Sequence, residues 1–183
     1  ALRIGYQNRP DIFALNIELP QMLYAQVIET QERISAQGEI IEPLDKMSLR
    51  RQLKEAYKNK IKSVAIVFMH GYRFPIHEKV AQKIAEEVGF KQISVSHSTS
   101  PLMKLISRGD TTLTDAYLSP IIKNYVDQVR YGLAEHLGNT PILFMQSHGG
   151  LTSAESFRGK DSVLSGPAGG VVGMVRTAKP ANL

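Results

Sequence analysis

Cysteine is absent from all 183 residues, which excludes disulfides and thiolate-bound metal and accords with an expected cytoplasmic location. No apolar run approaches the ~20 residues of a membrane-spanning helix, so no membrane partner is expected. No leader segment is visible, and Ala1-Leu2-Arg3 reads as a start in mid-domain. Two familiar phosphate signatures are missing: the Gly-Lys-Ser/Thr end of a Walker A loop and a clean dinucleotide fingerprint. The G-x-S-x-G nucleophile elbow is missing too, which leaves a serine-hydrolase reading without support. Internal repeats and low-complexity segments are also lacking.

The remainder resembles an ordinary globular chain. With 43% hydrophobic and 21% charged residues, it can bury a core as one domain or two small lobes. The net charge is +5, and much of the excess sits in Arg50, Arg51, Lys54, Lys58, Lys60 and Lys62. Those residues belong to one predicted helix and its exit, where a solvated face is the ordinary meaning. No nucleic-acid motif accompanies them, so nucleic acid is not an expected partner.

Pattern and punctuation predict the elements. Residues 2–6 are a short apolar stretch and 7–11 a loop with Pro10, while 13–19 read equally as strand or helix. Residues 24–35 alternate, turn at 36–39 and resume at Ile40-Ile41, the pattern of a β-hairpin. Asp45 caps a helix over 47–59, with Leu49, Leu53 and Tyr57 on one stripe. Residues 63–69 (SVAIVFM) form a buried strand. A helix over 77–88 with Val80, Ile84 and Val88 inward ends at Gly89, and 92–96 form the next strand. This α-β-α-β order implies a parallel pair with a crossover helix. After a connecting stretch at 101–110, Ala116, Ile121, Tyr125, Val129 and Leu133 follow a rough helical period in a long helix over about 112–137, with Pro120 starting or kinking it. Residues 142–146 read as another buried strand.

The chain is organised around residues 161–177 (DSVLSGPAGGVVGMVRT). Residues 162–164 read as a short strand, Ser165-Gly166-Pro167 as a turn and 168–177 as a helix. Ser165 or Gly166 is then its cap, and Pro167 sits in the first turn, where its missing N–H costs nothing. Glycines between a strand and a helix N-terminus leave backbone N–H groups and a positive dipole end facing one spot, which suits a phosphate. The same small residues also serve tight helix–sheet packing, so both readings stand.

Ligands of open α/β sheets sit beyond the carboxyl ends of strands. Four such ends are polar: His70-Gly71-Tyr72-Arg73, Ser96-His97-Ser98, Ser147-His148-Gly149-Gly150 and Ser165-Gly166. His148 reads as a base, a substrate ligand or a loop histidine bonded to backbone. His70 and His77 have poor spacing for a metal, with only Glu78 to complete a site. In Arg108-Gly109-Asp110-Thr111-Thr112, Asp110 or Thr111 reads as the N-cap of the long helix, or the charged pair orients a polar ligand.

Four blocks in order, VAIVFMHGYRFPIHE (64–78), SVSHSTSPLMKLISRGDTTLTDAYLSPI (94–121), LFMQSHGGL (143–151) and VLSGPAGGVVGMVRTA (163–178), resemble the hydantoinase A/5-oxoprolinase family over nearly the whole chain. The RGDTT and DAYLSP wording is closer to 5-oxoprolinases than to N-methylhydantoinases. The resemblance implies an ATP-dependent amidohydrolase that opens the lactam of 5-oxo-L-proline to L-glutamate, with Mg²⁺, in glutathione metabolism. It also implies phosphorylation of the amide oxygen and a B-type hydantoinase subunit or domain as partner. The implied fold is α/β, a fragment of an actin-like ATPase (ribonuclease H-like) fold with a mixed sheet flanked by helices. Residues 1–105 would end the N-terminal region. Residues 106–183 would hold a long connecting helix and the start of the second lobe.

The substrate or nucleotide cleft implied is Ser147, His148, Gly149, Gly150, Ser165, Gly166, Gly169 and Gly170, with Arg108 and Asp110 behind it. The catalytic group stays open among His148, Asp110 and Arg108, and no metal ligand is assigned. Gly166 stands where the related chaperone ATPases carry a glutamate, and His148 where the family carries an asparagine. The family's Asp-x-Gly-Gly-Thr phosphate loops, expected before and after this stretch, are absent. An internal fragment that neither binds ATP tightly nor hydrolyses it alone is therefore expected. The alternatives are a hydantoinase, the ATP-using subunit of a ketone carboxylase, or a non-catalytic α/β module that docks a partner.

Overall fold

The chain was analysed as a computed structural model that describes residues 13, 15–16, 21–137 and 140–179. The expectations for residues 2–12 and most of 13–19 lie outside the described residues. Two compact units divide the chain, Ala1–Leu113 and Thr114–Leu183.

In the first unit, β1 (Arg33–Ile34) and β2 (Ile40–Glu42) form an antiparallel hairpin. Gly38 turns it with φ +97°, and a Cβ there would meet the Phe74 ring at 2.6 Å, so glycine is required on both counts. The hairpin is far shorter than its alternation suggests, because 24–32 find no partner strand among the described residues. α1 (Lys46–Lys58) begins where the Asp45 carboxylate accepts the Ser48 N–H at 2.9 Å. β3 (Ser63–Ile66) and β4 (Gln92–Val95) pair in parallel, joined through α2 (Ile76–Val88), which Gly89 ends in the left-handed conformation. This is the expected α-β-α-β unit.

Leu49 and Leu53 of α1, Ile66 and Val95 of the strands, and Ile84 and Ala85 of α2 fill one core. Each buried aliphatic side chain contributes about 1.5–3 kcal/mol. The α1 stripe runs through Ala56 rather than Tyr57, which is 45% exposed and sets its ring edge-on to Phe90 at 5.3 Å. α3 (Ser96–Thr99) follows β4 directly.

α4 (Leu105–Leu137) starts seven residues before the predicted 112, so Arg108, Asp110 and Thr111 lie inside the helix and neither Asp110 nor Thr111 caps it. The Thr111 and Thr112 hydroxyls donate to the carbonyls of Ser107 and Arg108, four residues back, as hydroxyls inside a helix do. Pro120 lies within α4.

In the second unit the buried positions of α4 include Asp115, Ala116 and Val126, whereas Ile121 and Tyr125 are more than half exposed. The predicted stripe had the wrong register, because a polar pair rather than an apolar face docks the next element. Asp115 accepts the Lys160 N–H at 3.2 Å, and Ser119 accepts the Gly159 N–H at 3.0 Å. These bonds seat α5 (Gly159–Ser162) on α4, and a Cβ on Gly159 would meet the Ser119 nitrogen at 2.5 Å.

β5 (Leu143–Met145) is a strand as expected, but not a buried one. It pairs antiparallel with β6 (Leu151–Ser153), and Leu143 is half exposed. Gly149, at φ +84°, turns the chain back on itself. The strand expected at 162–164 is absent. The end of α5 and a turn stand there, with the Ser162 hydroxyl donating to the Gly159 carbonyl, and α6 (Ser165–Ala178) follows. Short apolar runs do not distinguish strand from helix, and no neighbouring strand offers 162–164 a ladder. Among the described residues the α/β class holds, but in place of one mixed sheet there are three separate two-stranded sheets.

Candidate functional site

In the first unit the strand ends converge on a buried carboxylate. Glu78, on the first turn of α2, has no exposed surface. Its Oε1 accepts the Phe68 N–H at 3.0 Å and the Ser96 hydroxyl at 2.5 Å. Its Oε2 accepts the His97 N–H at 3.0 Å and lies 2.8 Å from His97 Nδ1. Arg108, equally buried, donates from Nε to Ser96 Oγ at 2.9 Å, which commits the Ser96 proton to Glu78. Its Nη1 reaches the Leu102 and Met103 carbonyls, and its Nη2 those of Phe68 and Met69, at 2.6–3.0 Å.

With an ionised carboxylate as acceptor, His97 carries its proton on Nδ1 and leaves Nε2 as the lone-pair nitrogen. The guanidinium also stacks over Tyr72 at 5.4 Å. Burial holds the Arg108 pKa below its usual value, while the charge of Glu78, and secondarily Tyr72, pushes it back up. Gly71 has no side chain because a Cβ would overlap Glu78 Oε1. The arrangement ties the carboxyl ends of β3 and β4 to the start of α4. All the guanidinium nitrogens are used internally, so Arg108 acts as a clamp and has no fork left for an anion. Asp110 is half-buried two residues further along α4.

In the second unit the glycine-rich segments meet. Ser147 follows β5, and its N–H and hydroxyl both reach the Asp161 carbonyl at 2.7 Å. Its oxygen also accepts the Leu164 N–H at 3.1 Å, so the side chain bridges the strand end and the start of α6. That hydroxyl is fully engaged and is no nucleophile. His148 is exposed, and its Nδ1 accepts the Gly150 N–H at 3.2 Å, which places the proton of the neutral ring on Nε2. A Cβ on Gly150 would meet the His148 ring at 2.5 Å, and one on Gly149 would meet Val172 of α6 at 3.1 Å.

Ser165 and Gly166 form the first turn of α6 and do not cap it. The preceding residue is Leu164, which has no side-chain cap bond, and Pro167 falls in the first turn as predicted. Gly169 faces Met145 at 3.6 Å, whereas a Cβ on Gly166 or Gly170 would meet nothing within 4 Å. The helix start therefore has uncapped N–H groups, a positive dipole end and open backbone, which fit a phosphate-like anion.

Sequence reasoning placed Ser147, Gly149, Ser165 and Gly169 on elements that do meet. It missed the clamp. Ser96-His97 was visible as a polar strand end, and Glu78 only as a stray carboxylate. The separation of 18 positions between Glu78 and Ser96 leaves no local signal of their bond. Among the described residues no group of three His, Asp or Glu side chains is placed to hold a metal ion.

Comparison with known proteins gives consistent matches. Residues 1–89 match the hydantoinase/oxoprolinase N-terminal region, and residues 108–183 match hydantoinase/oxoprolinase. The chain is 40% identical to 5-oxoprolinase of Saccharomyces cerevisiae across its full length, yet spans only 16% of that relative. It is 30% identical to caprolactamase subunit alpha of Pseudomonas jessenii over 74% of its length, spanning 20% of that subunit. In three dimensions it superposes on the ATP-dependent caprolactamase of the same organism with a TM-score of 0.81 and 24% identity, over 100% of this chain and 27% of that one. It also superposes on a nucleotide-free acetone carboxylase with a TM-score of 0.73 and 22% identity, over 84% of this chain and 22% of that one.

Proposed function

The chain belongs to the hydantoinase/oxoprolinase family, and from that premise we propose that it is part of an ATP-dependent cyclic amide hydrolase opening 5-oxo-L-proline to L-glutamate. The observation that carries this reading is the 40% identity to a 5-oxoprolinase along the whole chain. The fold proposed is part of an actin-like ATPase. Its support is the likeness to the ATP-dependent caprolactamase and to an acetone carboxylase whose carboxylation is ATP-dependent. Residues 1–105 are assigned to the end of the N-terminal region and 106–183 to the connecting helix and the start of the second lobe. The two separately matched regions support this division.

ATP, with Mg²⁺, would supply the activating phosphoryl group that makes the lactam carbonyl attackable. The residues proposed for that cleft are Ser147, His148, Gly149, Gly150, Ser165, Gly166, Gly169 and Gly170. Ser147 holds the β5 end against the start of α6. The uncapped first turn of α6 turns its N–H groups toward an anion. Neutral His148 offers Nε2–H as a hydrogen-bond donor, so its role is to orient an oxygen rather than to take a proton through Nδ1. Arg108 is a positioning residue. Asp110, like His148, stays a candidate catalytic group. The proposed partner is a B-type hydantoinase subunit, and the name of the caprolactamase alpha subunit points the same way.

ADP release by the whole polypeptide with its partner subunit, with and without 5-oxo-L-proline, tests this reading. Stimulation with glutamate formed supports it. Turnover that answers only to a hydantoin or a ketone moves the substrate within the family. No turnover with any of them favours a docking module.

A further inference from the structure

α6 is built to be covered. It has 14 residues, none of them buried, and a single charge, Arg176. The side turned to the β5–β6 hairpin is narrow: Gly169 meets Met145, and Val172 meets Gly149. Around the rest of the helix Gly166, Pro167, Gly170, Val171, Gly173, Met174 and Val175 are all exposed, with Met174 at 66% and Val171 at 58%. At a helical period these positions form one continuous face of small and apolar groups. A Cβ on Gly166, Gly170 or Gly173 would meet nothing within 4 Å, so another backbone can approach closely along that line. A helix apolar nearly all round belongs in an interior. Among the described residues, the second unit buries few apolar side chains of its own, Ala116 and Val126 among them.

We propose that this face of α6 is an internal surface, covered by another segment of the same polypeptide. Two arguments select that occupant. The chain spans 16% of its yeast relative and 27% of the caprolactamase chain on which it superposes, so in those proteins most of the polypeptide lies outside the stretch described. A second copy meets an area limit. A 14-residue helix is about 21 Å long and 10 Å across, a footprint on the order of 200 Å², against ~800 Å² per partner in a stable complex. A tethered segment avoids the loss of translational freedom that a separate partner incurs. The covering segment is apolar, lies over Val171, Met174 and Val175 and comes close at Gly173, which leaves Gly166 and Gly170 to the candidate cleft. Because Ser147 and Gly149 rest on α6, covering it also orders the candidate cleft.

Hydrogen exchange on the polypeptide as the gene encodes it tests this independently of any activity. α6 amides are expected to exchange as slowly as those of α1, a helix with a core behind it. Met174→Glu is expected to speed α6 exchange roughly tenfold or more and to lower the Tm, while Met174→Leu preserves both. α6 amides exchanging far faster than α1 amides in the unsubstituted protein would overturn the proposal. So would Met174→Glu leaving protection and Tm unchanged. Protection that falls on dilution would assign the face to a second copy and overturn the proposed occupant.

Discussion

Glu78 and Arg108 show how two buried charges, joined through the Ser96 hydroxyl, can be tolerated. Two charges leave water, and each is repaid only by filling its hydrogen-bonding capacity: four donors on the carboxylate and five bonds from the guanidinium. Removing Glu78 leaves the Phe68 and His97 N–H groups, the Ser96 hydroxyl and the His97 ring without their acceptor. Glu78→Ala is therefore expected to lower stability by about 3–5 kcal/mol in urea unfolding. Arg108→Lys is expected to destabilise as well, since an ammonium cannot span Ser96 and four carbonyls at once. Gly71→Ala is expected to cost about 1–3 kcal/mol by overpacking against the Glu78 carboxylate. None of this is written locally, because Phe68 comes from the loop after β3, and Glu78, Ser96 and Arg108 from α2, α3 and α4.

Where helices have a solvated side and a packed side, the sequence placed them well. α1 and α2 carry their caps and stripes openly, at Asp45 and Gly89. Leu53→Ala is expected to cost about 2–5 kcal/mol of first-unit stability by thermal or urea unfolding. The strands after α4 were misread because their apolar residues mark surfaces awaiting cover rather than a sheet interior. α5 is held by Asp115 and Ser119 bonds that no periodicity encodes. Gly159→Ala is expected to push α5 off α4. Faster amide exchange at 159–162 would show it, and unchanged exchange would refute the docking described.

The whole chain combines a first unit with a core of its own and a second unit with little of one. Residues 1–183 alone are expected to show no micromolar ATP affinity by calorimetry, since a phosphate cradle needs converging N–H groups from more than one loop. Tight binding would show that α6 and the Ser147–Gly150 turn suffice. In the full polypeptide with its partner, Ser147→Ala is expected to lower ATP turnover and loosen α6 together, because one oxygen bonds both Asp161 and Leu164.

The sequence by itself determined the family, the parallel β3–β4 unit, the caps of α1 and α2 at Asp45 and Gly89, and Pro167 in the first turn of α6. Each depends on motif wording or on neighbours within a few residues, which a linear chain records. The tertiary structure alone decided that Arg108 is a saturated clamp, that Ser147 is a bracket and that β5 pairs with β6. It also decided that α6 stands open along its glycine line. These outcomes turn on which distant groups satisfy a buried charge, a hydroxyl or a strand edge. Hydrogen bonding and close packing settle that in space, between residues whose separation along the chain gives no sign of it.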